Sequence, residues 1–324
     1  MGEARGGVMA SLCACMAALA MLLVAAPAKA VDPAETQTYI PFGFIHNEHG
    51  PVLVDETLEQ LSAYGIGQAL LPMPRFKKDG TFKLSRKEVR TIPQWAALTK
   101  AYDLEHGTDL VATAVFAGKV KKQSLNLEDP AVRAKMLSGV ETVLAMGIGG
   151  VQLDLEPYPQ TPGFLALLEE IDTLFATRGF TGRLSVVAPA TVGRWSPSYL
   201  AAVTARLTQV DPLFYDSERK TASTYEQWVR EGLAYYSANA DPATRIIPAL
   251  PSYGTNRWHD TSVENIATAT TAVEEALAEG SRVNGAGIFW WWGFYYDEEE
   301  EGEYEGAPDR ATWLTRSLAV PFTP

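Results

Sequence analysis

The fourth apolar run of the chain reads Gly149-Gly150-Val151-Gln152-Leu153-Asp154-Leu155-Glu156-Pro157. Apolar and polar side chains alternate along it, and a period of two predicts a β-strand with two different faces. One face is apolar, at positions 151, 153 and 155. The other face carries an amide and two carboxylates, which are costly to bury without partners. We therefore expect this strand to end in a site where Asp154 and Glu156 take part in chemistry.

Seven further apolar runs occur along the chain, and helical patterns separate the runs. In chain order, with the fourth included, they are Tyr39–Ile45, Gly67–Leu71, Leu110–Phe116, Gly150–Glu156, Arg183–Ala188, Val210–Tyr215, Arg245–Leu250 and Gly287–Trp291. Eight strand–helix units predict an α/β fold, the (β/α)8 TIM barrel, whose active sites lie at the carboxyl ends of the strands. A doubly wound open sheet is the alternative. We favour it less because no glycine-rich phosphate loop follows the first run.

The amino terminus has the features of a secretory signal peptide. Arg5 precedes an apolar run from Met9 to Ala26, and Ala28-Lys29-Ala30 is a small-residue cleavage site. We therefore predict a signal peptide over residues 1–30 and a single barrel domain over residues 31–324, secreted or periplasmic. An uncleaved membrane anchor is the alternative.

Composition excludes several classes of function. The formal net charge is −12, so the chain has no electrostatic attraction to nucleic acid or anionic lipid. Both cysteines, Cys13 and Cys15, lie within the predicted signal peptide. The mature chain therefore has no disulfide and no thiol nucleophile.

Two carboxyls two residues apart on one strand face can share a proton, and their repulsion raises the pKa of one of them. Glu156 is nearer the mouth of the predicted barrel and is the natural general acid. The structural alternative is that Asp154 and Glu156 cap helices or pair with basic residues. We favour it less because few lysines and arginines lie near the predicted strand ends.

The run from Gly149 to Glu156 resembles the fourth-strand signature of glycoside hydrolase family 18, the chitinases and their relatives, which is Asp-Gly-x-Asp-x-Asp-x-Glu. Three later strand ends are similar to family motifs in the same order. They are Phe214-Tyr215-Asp216, Leu250-Pro251-Ser252-Tyr253-Gly254 and Gly287-Ile288-Phe289-Trp290-Trp291. The first two Asp positions of the signature are Gly149 and Gln152 here, so a proton relay through Gln152 is lost.

The resemblance implies substrate-assisted catalysis with retention, an exception to the scheme with two enzyme carboxylates. Glu156 would protonate the glycosidic oxygen while the 2-acetamido carbonyl of the substrate attacks the anomeric carbon. Asp154 would orient and stabilise the acetamido group, and the Tyr215 hydroxyl would hold its oxygen. Further substrate-binding residues would be Gln152, Asp216, Tyr253, Trp290 and Trp291.

We therefore expect a retaining hydrolase of N-acetylglucosamine-containing glycans, a monomer that binds oligo- or polysaccharides and uses no metal or cofactor. The alternative is a non-catalytic glycan-binding barrel, which family 18 folds also provide and which usually lacks the glutamate. A third interpretation compares Leu155-Glu156-Pro157 with the Asn-Glu-Pro acid/base of another group of barrel hydrolases. That group needs a second glutamate at the end of the seventh strand, where this chain has Pro251-Ser252-Tyr253.

Other polar stretches are ambiguous. His46-Asn47-Glu48-His49 follows the first run and favours sugar contact or loop polarity over a metal site. The acidic run at 297–303 favours a solvated loop over a calcium site, and beside a cleft it could attract cationic glycans. Trp195 and Trp258 are expected to stack on sugars, Trp95 and Trp228 to pack inside, and His259 to lie at the surface or at a helix end.

Overall fold

The computed structural model describes residues 36–41, 51–120, 124–289 and 307–316; the side chains of residues 51–53 and 307 are not described. Nine short strands in this part of the chain form one parallel sheet. They are β1 (Gln37–Tyr39), β2 (Gln68–Pro72), β3 (Val111–Lys119), β4 (Gly150–Glu156), β5 (Arg183–Pro189), β6 (Gln209–Leu213), β7 (Arg245–Ile246), β8 (Ala249–Pro251) and β9 (Gly287–Phe289).

The sheet closes on itself. Strands β1 to β5 pair in chain order, β1 also pairs with β9, and β5 pairs with β6. Strands β7 and β8 both pair with β6 and form the two pieces of the seventh barrel strand. The predicted TIM barrel is confirmed, and the open-sheet alternative is wrong.

Eight helices of the described chain alternate with the barrel strands. They are α1 (Pro51–Ala63), α2 (Arg86–His106), α3 (Pro130–Leu144), α4 (Pro162–Arg178), α5 (Pro197–Thr204), α6 (Ala222–Asn239), α7 (Ile266–Ala278) and α8 (Ala307–Leu314). No helix within the described ranges has the length and apolar character needed to span a bilayer.

Side chains at helix starts explain most of the helix boundaries. Asp129, Thr161 and Ser196 each accept a hydrogen bond from the first turn and precede a proline, as their sequence patterns predict. The N-cap of α7 is Asn265, whose side chain accepts the backbone N–H of Thr268 at 2.9 Å.

The alternation along β4 is confirmed. Val151, Leu153 and Leu155 are at most 2% exposed and belong to the main core between the barrel and its helices. The polar face points into the barrel, where its residues become progressively more accessible toward the carboxyl end. Gln152 is fully buried, Asp154 is intermediate and Glu156 is exposed.

Candidate active site

A polar layer fills the barrel below the mouth and is built around Gln152. Its side-chain amide accepts the Tyr39 hydroxyl at 2.8 Å and donates to Ser185 Oγ at 3.3 Å and to an Asp211 carboxylate oxygen. Asp211 also accepts an amide N–H of Gln209 at 2.8 Å. The expectation that Gln152 binds substrate is therefore corrected, because this side chain is 0% exposed and already hydrogen-bonded at both amide atoms.

Further glutamines extend this layer around the barrel. Gln68 donates to Gln209 at 3.0 Å, and Gln209 donates to Gln37 at 2.7 Å. Polar side chains that point into a barrel are costly to bury unless they have hydrogen-bonding partners. These buried amides satisfy most of one another's hydrogen-bonding groups, so inward polar residues alone do not indicate catalysis here.

Gly149 stands where the family signature has its first aspartate, and packing explains why a side chain is absent. A Cβ atom at Gly149 would lie 2.8 Å from Val111 Cγ1, a separation shorter than Cβ atoms have in folded proteins. An aspartate would require Val111 to move.

Asp154 lies above the polar layer and is mostly buried. Its pKa is raised to about 7, chiefly by burial and then by the Glu156 carboxylate, while the Arg75 guanidinium opposes the shift. Asp154 Oδ1 is buried and accepts no hydrogen bond. We expected repulsion to raise the pKa of one carboxyl and took Glu156 as the general acid. The raised pKa belongs to Asp154, and burial contributes more to it than repulsion does.

Glu156 is exposed at the mouth and lines a cavity of about 430 Å³ between the loops that follow β4, β5 and β6. Among the described residues, no basic side chain lies within ion-pair distance of Glu156 or Asp154. The structural alternative, in which these carboxyls pair with basic residues, is thus not supported in the described part of the chain. The Glu156–Pro157 peptide bond is cis.

Tyr215 and Asp216 line the same cavity as Glu156. The Tyr215 ring stacks on Phe289 with centroids 4.5 Å apart, which fixes its direction. Burial raises the pKa of the Tyr215 hydroxyl well above its ordinary value, so the hydroxyl stays protonated as a donor. It makes no hydrogen bond to any described residue and is available to a ligand.

Aromatic rings from four barrel strands or their ends surround this position. Phe289 meets Tyr39 at 5.1 Å and Tyr253 at 5.5 Å, both edge to face, and Tyr253 meets Tyr215 at 6.0 Å. The Tyr253 hydroxyl donates to Asp216 Oδ1 at 2.8 Å. The structure therefore brings Glu156, Tyr215, Asp216 and Tyr253 to one end of the barrel.

A buried pair, which we call the His259–Glu264 clamp, fixes the loop after β6 to the loop after β8. His259 Nδ1 lies 3.2 Å from Glu264 Oε2, and the imidazole ring stacks on Tyr253 at 4.1 Å. Glu264 also accepts the backbone N–H of Ser217 at 3.1 Å. His259 is only 2% exposed, so its predicted surface position is wrong.

The tryptophans divide differently from our expectation. Trp95 and Trp195 are both buried, at 0% and 1% exposure. Trp95 therefore packs inside as predicted, whereas the expectation that Trp195 stacks on sugars is wrong. Trp258 is 42% exposed. Trp228 packs on Phe214 at 5.3 Å and also lines the cavity beside Glu156.

Several features singled out in the sequence lie outside the described residues. They are Trp290, Trp291, the stretch His46-Asn47-Glu48-His49 and the acidic run at 297–303.

Sequence reasoning missed the basic residues of the mouth. Arg194 and Arg219 line the cavity with Glu156, Arg75 acts on Asp154, and Lys119 stands opposite Glu156 in the β3–β4 register. Each of these residues follows or ends a predicted strand. Its place there could have identified it from the sequence as a residue of the barrel mouth.

The fold has counterparts among solved structures. A chitinase from Bacteroides thetaiotaomicron is similar over 87% of this chain and 96% of its own, with 13% identity and a TM-score of 0.60. A glycoside hydrolase family 18 N-acetylglucosaminidase from Paenibacillus barengoltzii is similar over 80% and 95%, with 13% identity and a TM-score of 0.52.

A third similar structure is the xylanase and α-amylase inhibitor protein XAIP-II from Scadoxus multiflorus, with coverage of 81% and 94%, 9% identity and a TM-score of 0.57. No family model and no curated protein sequence matches the chain. The chain thus has the chitinase-type TIM-barrel fold, and that fold occurs both in enzymes and in a protein described as an inhibitor.

Proposed function

We propose that this protein is an exported, retaining glycoside hydrolase of the family 18 type that acts on N-acetylglucosamine-containing glycans. One observation carries the proposal. Glu156 is exposed on the wall of a cavity at the carboxyl end of β4, and Tyr215, whose hydroxyl bonds to no described residue, lines the same cavity. Asp154 lies on the same strand face, two residues before Glu156. An acid and a neutral donor at one cavity are the groups that substrate-assisted hydrolysis requires.

Asp154 still carries a proton near neutral pH, because burial and the Glu156 carboxylate raise its pKa to about 7. In the proposed mechanism Asp154 passes this proton to Glu156 along their shared strand face. When the proton is on Glu156, Glu156 protonates the glycosidic oxygen and the Asp154 carboxylate faces the acetamido nitrogen. Above about pH 7 the pair loses this proton, so the rate should fall as the pH rises through that value.

Tyr215 and the aromatic rings around it would position the reacting sugar. The Tyr215 hydroxyl would donate to the acetamido oxygen as that oxygen attacks the anomeric carbon, forming a cyclic oxazolinium ion. Glu156, now deprotonated, would then accept a proton from the water that opens the ion, which gives retention. The sugar-floor role of Trp290 or Trp291 stays a prediction.

A second candidate is a non-catalytic glycan-binding barrel, favoured by one observation. Gln152 stands at a relay position of the family signature and cannot exchange a proton with Asp154. Glu156 is nevertheless present, and Asp154 holds a raised pKa without that relay. We therefore place hydrolysis first.

The test is incubation with N-acetylglucosamine oligomers and with matched glucose oligomers, in the presence and absence of a thiazoline mimic of the cyclic intermediate. We expect cleavage of the acetamido substrates only, and inhibition by the thiazoline at concentrations at least about a hundredfold below the substrate KM. Cleavage of glucose oligomers with a stable ester on an Asp or Glu, found by mass spectrometry, would contradict the mechanism. Binding without cleavage would favour the glycan-binding barrel.

A further inference from the structure

Two arginines face the cavity beside Glu156, and neither has an acidic partner among the described residues. Arg194 and Arg219 come from the loops after β5 and β6, and both are exposed. Among the described residues, no carboxylate lies within ion-pair distance of either guanidinium. The ion pairs of the neighbouring helices involve other arginines, such as Arg178 and Arg206. Two guanidinium groups without a carboxylate partner in the described part of the chain are unexpected in one cavity of a protein with a net charge of −12.

Firmly held backbone carries Arg194. The next residue, Trp195, is 1% exposed; its indole N–H donates to the Tyr158 carbonyl at 3.3 Å, and its own carbonyl accepts the Tyr235 hydroxyl at 2.6 Å. One terminal nitrogen of Arg194 donates to the Pro157 carbonyl at 3.3 Å. That contact holds the side chain next to the residue after Glu156 and leaves its other N–H groups for a ligand.

The position of Arg219 is fixed in a similar way. Its backbone N–H donates to Ser217 Oγ at 3.2 Å, and the His259–Glu264 clamp holds Ser217 in turn. The guanidinium carbon lies 5.9 Å from the centroid of the Trp228 ring, which also lines the cavity. The Arg219 guanidinium donates no hydrogen bond to any described residue.

The acidic residues of the cavity do not neutralise these arginines. Asp216 is engaged with the Tyr253 hydroxyl at 2.8 Å and lies 3.4 Å from the Asn256 amide. Glu156 is the proposed general acid. The cavity therefore offers free guanidinium N–H groups, whose planar fork matches the two oxygens of a carboxylate.

We propose that this cavity binds a carboxylate carried by a sugar next to the one that is cleaved, through Arg194 and Arg219. The inference rests on the proposed function and narrows its substrate class to acidic amino-sugar glycans, in place of a neutral polymer. It is opposite in sign to the preference for cationic glycans suggested by the acidic run at 297–303. The carboxylate can belong to a lactyl ether or to a uronic acid, since both present the same two oxygens.

The test measures binding by calorimetry in the E156Q background, so that the ligands stay intact. Four oligosaccharides are compared: a neutral N-acetylglucosamine oligomer, one with an adjacent lactyl-ether sugar, one with an adjacent uronate, and the lactyl form with its carboxylate amidated. We expect at least one acid to bind about tenfold or more tightly than the amide and the neutral oligomer. Its affinity should fall with added salt. The tighter of the two acids identifies the source of the carboxylate.

Variants assign the effect to the arginines. R194Q and R219Q, singly and together, should remove the preference for the acid while leaving the affinity for the neutral oligomer within about twofold. R206Q is the matched control, because Arg206 pairs with Glu169 at 3.8 Å and precedes β6 at the opposite end of the barrel. R194K should retain part of the preference, which separates lost charge from a disturbed loop.

The outcomes are distinct. Equal affinity for the acids, the amide and the neutral oligomer would overturn this inference and leave the proposed function standing. A preference for the acid that survives in the double variant would also overturn it, since the carboxylate would then bind elsewhere. Failure to bind any of the four glycans would overturn both the inference and the proposed function.

Discussion

Asp154 and Glu156 are two residues apart on one strand face, yet they meet different surroundings. Asp154 is mostly buried, and its Oδ1 atom accepts no hydrogen bond, whereas Glu156 faces solvent in the cavity. A burial difference over one strand repeat is enough to separate the roles of two carboxyls. The cost of keeping Asp154 in this position should be measurable as a loss of stability.

We predict that D154N makes the protein more stable at alkaline pH. The folded-state pKa of Asp154 is raised from 3.8 to about 7, so the folded state binds this proton more tightly than the unfolded state does. The contribution of this proton to the free energy of unfolding is fully present below about pH 4. It is lost as the pH rises to 7 and amounts to at most the order of 4 kcal/mol. Asparagine does not titrate, so urea midpoints of wild type and variant should diverge between pH 4 and 7 and stay apart above it.

The matched control for this measurement is D172N, an exposed position on α4. It should follow the wild-type curve at every pH. A constant difference between D154N and wild type from pH 4 to 9 would contradict the raised pKa of Asp154.

Tyr215 is expected to act on turnover with little effect on folding. Its hydroxyl bonds to no described residue, so Y215F should change the free energy of unfolding by less than about 1 kcal/mol. Turnover should fall by about two to three orders of magnitude if the hydroxyl holds the acetamido oxygen.

Y236F is the control with the opposite pattern. The buried Tyr236 hydroxyl donates to the Pro189 carbonyl at 2.8 Å, so Y236F should lose stability and keep turnover. Unchanged turnover in Y215F would remove Tyr215 from the mechanism.

At this scale the sequence predicts residues on strands and fails for residues on loops. Asp154 and Glu156 follow from the two-residue period alone. The positions of Arg194, His259 and Trp195 depend on loop paths and on partners far away in sequence. Trp195, for example, donates its indole N–H to the carbonyl of Tyr158, which lies 37 positions earlier in the chain.

At the scale of elements, the loops after β6 and β8 act as one unit through the His259–Glu264 clamp. Ser217 is two residues after Tyr215, and Tyr253 stacks on His259. The clamp therefore fixes two strand ends that supply the cavity. Positive φ values at Asp216 and Glu218 show that this loop is held in a conformation seldom used by residues other than glycine.

We predict that E264Q weakens both stability and activity. Glu264 is 1% exposed and accepts hydrogen bonds from Ser217 and from His259. Glutamine replaces one carboxylate oxygen with an NH2 group, which would face the donors of Ser217 and His259. This change should lower the free energy of unfolding by about 1–3 kcal/mol. Turnover should fall with it, because the loop after β6 carries part of the cavity.

E231Q on α6 serves as the comparison. Glu231 is exposed and accepts the side chain of Gln227 at 2.8 Å on the same helix, so its loss should cost less than about 0.5 kcal/mol. If E264Q matched E231Q in thermal midpoint and turnover, the clamp would have no role in positioning the cavity.

Most strand positions follow from the apolar runs, and the exceptions have physical causes. The predicted run Arg245–Leu250 is two strands, β7 and β8, because Pro248 has no N–H to give to the sheet. Phe214 and Tyr215 lie beyond the end of β6, although Phe214 N–H still donates to the Ala249 carbonyl at 2.9 Å. The first strand starts at Gln37, earlier than its apolar run, because Gln37 and Thr38 pair with β2 and β9 there.

At the scale of the whole molecule, a closed parallel barrel gathers residues from distant parts of the sequence at one end. Tyr39, Asp154, Tyr215 and Tyr253 are separated by up to 214 positions, yet all lie at carboxyl ends of strands. Eight strand–helix units predict this gathering, since strand ends meet wherever the sheet closes. The sequence does not predict the glutamine layer below them, because single buried amides have no periodic signature of their own.

The signal peptide stays a prediction at this scale. We expect the exported protein to begin at Val31, because Ala28-Lys29-Ala30 fits the cleavage pattern. Amino-terminal sequencing of protein recovered from the medium or periplasm tests this. Recovery of the chain only in membranes, with residues 1–30 attached, would support the anchor instead.

The central claim is that Glu156 is the general acid, and the leaving-group dependence of E156Q tests it most directly. Two aryl glycosides of the same N-acetylglucosamine disaccharide are compared, one with a poor and one with a highly activated leaving group. General-acid catalysis contributes about 10² to 10⁴ in rate. E156Q should therefore lose at least about a hundredfold on the poor leaving group and far less on the activated one, with folding and glycan binding unchanged. A variant that keeps most of the wild-type rate on the poor leaving group would contradict the account.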